Sequence, residues 1–324
     1  MEKRRLSLII PLLWCGLVQI QAQWDDLPGQ YRAVKNYLNP SFAGETDAIR
    51  TAALYRCLWG NAANAPRQIL LTADAPFEWF RRRHGAGVAV FTETAGELRN
   101  SLLAAQYSFR KETGKGILNI GLQAGIYTLN FDAGSRRIFG DSLQYRQGVL
   151  NVSPGGKQVF DLSAGLAWTG KSFFAGLSVM HLSQPRFHVR NDSLSAGLQS
   201  DSVLSHIPRT CYLTAGYNIT LFRPLEMQPE VCVLTDLNSL RMQVSLRLEY
   251  DRRFSGGASW RLNDGYVFFA GAVVRGAELG YACGLHTGGA GQNSKGSHEL
   301  YLRYNFPLDY FKPKRYSRKS IRLL

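Results

Sequence analysis

The side chains that could do chemistry here are six histidines, His84, His181, His188, His206, His286 and His298, and a basic surplus giving a formal net charge of +14. No HExxH zinc helix, GxSxG nucleophile turn or glycine-rich phosphate loop accompanies them. Ser297-His298-Glu299 sets a hydroxyl, an imidazole and a carboxylate side by side. Consecutive side chains of a strand point to opposite faces, however, so Ser297 and His298 cannot act together. His181, His188 and His206 lie in or beside one connection and could hold a metal, but their spacing fits no standard zinc site. The residues point to no enzyme, no cofactor and no metal.

The bases are more informative. Arg81-Arg82-Arg83-His84 and Arg252-Arg253 form two clusters. After Phe306 come Lys312, Lys314, Arg315, Arg318, Lys319 and Arg322, against Asp309 alone. Such runs repel themselves unless solvated or partnered. Three uses remain open: a solvated face, docking on an acidic partner, or attraction to anionic head groups.

The elements that must position these groups are strands. Between Ser239 and Tyr250, Leu240, Met242, Val244, Leu246 and Leu248 alternate with Arg241, Gln243, Arg247 and Glu249. The same period of two recurs in Glu278–His286 and in Leu300–Phe306. One face is apolar and the other carries charges and small residues, as in a tilted strand with lipid outside and a polar lumen inside. Fourteen such segments run from 49–58 to 297–306, with tight turns at Thr169-Gly170-Lys171, Asn263-Asp264-Gly265 and Arg275-Gly276. The expected fold is an all-β, up-and-down antiparallel transmembrane barrel of about 14 strands. Its longest connections, near 128–157, 181–206 and 286–296, all fall at one rim, while the other rim has short turns apart from 75–84. That sorting belongs to an outer-membrane barrel with both chain ends in the periplasm.

Glycines such as Gly121, Gly165 and Gly176 would relieve crowding on the inner wall. Tyr55, Trp59, Trp168, Phe222, Tyr250, Tyr266 and Phe306 are expected in aromatic girdles. Residues 1–22, with Lys3, Arg4 and Arg5 before an apolar stretch and a small-residue exit, have the layout of a secretory signal peptide. The division is then signal peptide 1–22, periplasmic N-terminal segment 23–48, barrel 49–306 and basic periplasmic tail 307–324. The segment 23–48 reads as short for a plug. Nucleic acid is excluded as a partner by compartment. Cys211 and Cys232 flank the turn near Leu221–Pro224 and could face each other as a disulfide or remain thiols.

Several pieces carry a resemblance. They are Asn39-Pro40 with Ala43-Gly44, then Tyr55-Arg56 with Trp59, then Pro66, Asp74 and Pro76, and finally Gly296-Ser297-His298-Glu299 with Tyr304 and Phe306. In order and spacing they resemble the PorP/SprF family, outer-membrane proteins of type IX secretion and gliding in Bacteroidetes. The resemblance implies a non-enzymatic barrel that works with periplasmic lipoprotein-ring components and supports export or surface attachment of proteins. A general channel or hydrophobic-solute transporter is the alternative, and it would want a long plug segment or a large inward loop lined with charges, for which connection 128–157 could fold inward. Asn39, preceding Pro40, should be extended, and Ala43-Gly44 should let backbone pass close to the wall. Arg56 and Glu299 carry opposite charge and become luminal neighbours if the last strand seals against the first.

Overall fold

The computed structural model describes residues 25–308 apart from 61–63, 97, 132–156, 191–200, 289–290 and 293. The expected signal peptide and the tail with Lys312, Lys314, Arg315, Arg318 and Lys319 therefore lie outside the described residues, as does most of connection 128–157.

Alternation becomes strand throughout. The first half supplies β1 (Ala48–Cys57), β2 (Arg67–Trp79), β3 (Arg82–Ala95), β4 (Leu98–Thr113), β5 (Gly116–Phe131), β6 (Lys157–Thr169) and β7 (Phe173–Met180). A separate hairpin, β8 (Arg186–Arg190) with β9 (Asp201–His206), follows. The second half is β10 (Thr210–Tyr217), β11 (Ile219–Phe222), β12 (Leu225–Thr235), β13 (Leu240–Tyr250), β14 (Phe254–Arg261), β15 (Gly265–Val274), β16 (Ala277–His286) and β17 (Ser297–Pro307).

Each long strand pairs antiparallel with its sequence neighbour, β10 bridges β7 and β12, and β1 zips to β17 from Ala48↔Pro307 to Cys57↔His298. With β8, β9 and the short β11 set aside, this is a closed antiparallel barrel of 14 strands without a free edge.

The two faces separate as the alternation requires. On β13, Leu240, Val244, Leu246 and Leu248 are exposed on the outside while Gln243, Ser245 and Arg247 are buried inside. A soluble protein would not leave such a continuous apolar belt to water, whereas hydrocarbon accepts it. Tyr55, Phe222, Tyr250, Tyr266 and Phe306 stand exposed on this outer surface. Trp59 departs from the girdle: it is half-buried in a left-handed turn conformation (φ 53°) at the long-loop rim.

Connection 75–84 is corrected. β2 runs on to Trp79 and β3 begins at Arg82, leaving a tight turn whose Phe80 and Arg81 both have positive φ (48° and 57°). The cross-strand pairing Asp74↔Gly87 to Trp79↔Arg82 stays unbroken, so the polar residues there are strand end and not loop. The disulfide alternative also fails. Cys211 lies opposite Thr235 and Cys232 opposite Thr214, three positions apart in register, and both are free thiols. Reducing agent should accordingly leave the heat-induced gel mobility shift of the folded barrel unchanged.

Candidate functional site in the barrel lumen

The lumen is filled by the chain's own N-terminal segment. Residues Leu27–Gly44 are almost all buried, with Tyr31, Leu38 and Phe42 at 1–2% exposure. This corrects the reading of 23–48 as a segment short for a plug. A compact path of helical turns needs little chain: a 3-10 turn at Tyr31–Val34 runs into one α-turn at Lys35–Leu38, and a second 3-10 turn spans Pro40–Phe42. Apolar side chains of the segment pack on inward wall positions, Leu27, Tyr31 and Leu38 on Met180, Tyr212 and Leu234, and Val34 on Leu54, Leu70 and Tyr301. Phe187 and Ile207, from the connection between β7 and β10, dip inward onto Leu102 and Tyr127.

The Asn39-Pro40 pair works as expected and does more. Asn39 is extended (φ −148°, ψ 109°), and its Oδ1 accepts from the Ser41 N–H at 3.0 Å, capping the turn that Pro40 starts. Its Nδ2 donates to the backbone carbonyls of Leu166 and Leu177 on β6 and β7, at 3.1 and 3.3 Å. The wall is thinned to receive this corner. A Cβ on Gly121 would sit 2.1 Å from Ser41 N, and one on Gly85 would sit 2.0 Å from the Ala43 carbonyl.

Two charge clusters hold the segment, one near each rim. Toward the short-turn rim, Asp74 accepts from the Gly44 N–H at 2.8 Å and from Arg50 Nε at 2.9 Å. Lys35 pairs with Glu45 at 2.9 Å and lies over the Phe42 ring. Arg110 donates to the Gly44 carbonyl at 2.7 Å and Ser108 to the Ala43 carbonyl at 2.9 Å.

Toward the long-loop rim, the expected Arg56–Glu299 pair is present, Nε to Oε1 at 2.9 Å, both residues buried on adjoining strands. Glu299 also accepts the N–H groups of Gly29 and Gln30 at 2.8 and 3.1 Å. Arg56 donates onward to Gln68 (2.5 Å) and Asp26 (2.9 Å). Arg241 reaches Asp26 at 2.7 Å, and Arg261 reaches the Leu27 carbonyl at 2.9 Å. Burial alone would raise the Asp26 carboxyl; Arg56, Arg241 and Arg261 outweigh it and hold the pKa down to about 2. His181, just past β7, is braced by Asp161 at 2.9 Å and Asp25 at 3.3 Å. Burial disfavours its charge, but the Asp25 and Asp161 carboxylates raise the pKa to about 10.

At the same rim, Ser297 and His286 meet a residue that strand alternation could not foresee. His286 Nδ1 lies 2.5 Å from Asp264 and its Nε2 lies 2.6 Å from Ser297 Oγ. The order is that of an acyl-transfer triad. Ser297 is buried, however, and its Oγ lies 3.4 Å from the Trp59 N–H, so the chain ties the β14–β15 turn, the end of β16, the start of β17 and the β1–β2 connection together. Gly60 N–H to the Gly296 carbonyl at 2.8 Å adds to the tie.

The remaining expected residues scatter. Tyr55 faces outward, and the Pro66 carbonyl accepts from Leu58 N–H at the base of a connection. Pro76 sits in β2 opposite Gly85. His298 meets the Tyr281 hydroxyl at 2.6 Å on the exterior, where Tyr304 and Phe306 stack edge-on at 4.4 Å. Arg81, Arg82, Arg252 and Arg253 are exposed at hairpin tips of the short-turn rim, and Arg83 pairs with Asp47 at 3.0 Å. His84 leaves that cluster: it is buried among Phe77, Trp79, Tyr107 and Phe109. Sequence reasoning missed Asp26, Arg50, Asp161 and Gln106, whose Nε2 on β4 donates to the Asn36 carbonyl at 2.8 Å. Arg50 and Arg56 lie six apart on β1, and Gln68 and Asp74 six apart on β2, so shared inward parity was the available signal.

Over residues 20–304 the chain matches the family described as type IX secretion system membrane protein PorP/SprF. The chain belongs to that family. No curated protein matches it. Among solved structures it is similar in architecture to a monoaromatic hydrocarbon channel, CymD, at 11% identity, covering 85% of this chain and 93% of that one with a TM-score of 0.49. The toluene transporter TbuX of Ralstonia pickettii is 13% identical over 83% and 92% of the two chains, with a TM-score of 0.44.

Glu299→Ala takes one of two carboxylates from the buried Arg56 and leaves the Gly29 and Gln30 N–H groups without their acceptor, so it should cost about 3 kcal/mol, read as a fall in the temperature of the gel mobility shift. Exchanging the two charges (R56E with E299R) should restore only part of the loss, because an arginine at 299 would face the N–H donors of Gly29 and Gln30. The His181 contribution is complete below its ordinary value of 6.5 and is lost as pH rises through about 10. His181→Ala should therefore flatten the alkaline loss of stability across that window in pH-dependent melting. No labelling of Ser297 by a fluorophosphonate is expected, and labelling would reopen the hydrolase reading.

Proposed function

We propose that this chain is a non-enzymatic outer-membrane component of the type IX secretion and gliding machinery. In this reading it docks on periplasmic partners, lipoprotein-ring components among them, and supports export or surface attachment of proteins. Family membership supports the system. The observation that carries the non-conducting role is the occupied bore: Leu27–Gly44 fill the lumen and are hydrogen-bonded to the wall near both rims. A general channel needs a water-filled path, which the packed segment occupies; a plug is also what a hydrophobic-solute transporter would carry, and the family match favours secretion over that alternative. The sorting of connections supports an orientation with the short-turn rim and both chain ends in the periplasm. Docking then falls to that rim and to the basic tail beyond Phe306.

Full-length protein in planar bilayers should show no steady ohmic conductance of porin size, whereas a variant lacking residues 27–44 should conduct. Steady conductance by the intact chain would replace this reading with the channel. Deletion of residues 309–324 should reduce recovery of periplasmic partners from outer membranes while leaving the folded barrel intact.

A further inference from the structure

We infer that the short-turn rim is a ring-shaped binding site for anionic phospholipid head groups. Six turns build this rim, and each exposes a base: Arg81, Lys115, Lys171, Arg223, Arg252 and Arg275 in order around the wall. Tight turns ordinarily draw on Asn, Asp and Gly. The opposite rim follows that habit, with Asp236 and Asn238 between β12 and β13 and Asn263 and Asp264 between β14 and β15. The bases thus distinguish the tight turns of this rim from those of the other, whose longer connections carry or adjoin Arg67, Arg209 and Lys295.

Outward-facing aromatic rings accompany them. Phe80 precedes Arg81 and Phe222 precedes Arg223, Phe254 follows Arg253, and Phe173 lies two residues after Lys171, all four rings exposed. An apolar ring under a cation fits the boundary between acyl chains and phosphates, with the ring below and the charge at the head group. A partner docking from one side would need only part of the ring. A leaflet touches every hairpin around the circumference, and the bases are spread in that way.

Each base near an anionic surface contributes a factor of about five to partitioning, and salt screens the attraction. The test reconstitutes the full chain into nanodiscs of equimolar phosphatidylcholine and phosphatidylglycerol, then extracts it gently and measures the lipid retained. The wild type should enrich phosphatidylglycerol more than about tenfold over a variant carrying R81E, R82E, R252E and R253E. The enrichment should largely vanish in about 1 M NaCl, where the screening length is about 3 Å. The mobility shift on gels reports that both proteins are folded. Should the variant fail to fold, the salt dependence of the wild type decides alone. Equal lipid retention by the two proteins, or enrichment indifferent to salt, overturns the inference. Loss of a protein partner by the variant with unchanged lipid retention also overturns it, in favour of protein docking. The conductance measurement bears on the plug and leaves this result untouched.

Discussion

A carboxylate sunk in the bore of a membrane barrel must be answered by donors, and most of this structure is arranged around how Glu299 is answered. Its three donors come from two places: the guanidinium of Arg56 on the first strand and two backbone N–H groups of the N-terminal segment. Because Glu299 sits on the last strand, one group serves both the seam that closes the wall and the occupant that fills it. Leaving any of these donors out would strand charge in a low-dielectric interior, where Coulomb and desolvation terms are both large. Asp74 plays the matching part near the other rim, joining Arg50 to the Gly44 N–H.

The wall was legible in the sequence because hydrocarbon enforces it. A residue facing lipid must be apolar and its neighbour faces the opposite way, so Leu240 to Leu248 declare their strand without help from the rest of the fold. The Arg56–Glu299 pair was legible for a related reason, as opposite charges on the inward faces of two strands that closure makes neighbours. The plug was not. Residues 25–44 have no period of two and no helix longer than a turn or so, and the wall, through the carbonyls of Leu166 and Leu177 and the gaps at Gly85 and Gly121, imposes their conformation. The run from Pro76 to His84 misled in the opposite direction: polar and basic residues imitate a loop where strands simply continue past the lipid boundary.

Some of the residues that carry the family resemblance gather where wall and plug meet, while others, Tyr55, His298 and Phe306 among them, face outward. Asn39, Gly44, Arg56, Asp74 and Glu299 all touch across that boundary, while Ser297 and Trp59 tie the rim above it. Asp264, His286 and Ser297 follow the hydrogen-bond order of a hydrolytic triad. The same chain of groups, buried and facing inward at a rim, makes a brace between four segments.

The seam between β1 and β17 has a consequence for biogenesis. The strand that completes the cylinder also supplies a ligand of the segment that was synthesised first, so sealing the wall and seating the N-terminal stretch share one side chain. Biogenesis of this chain therefore couples the two events, and neither is complete without the other.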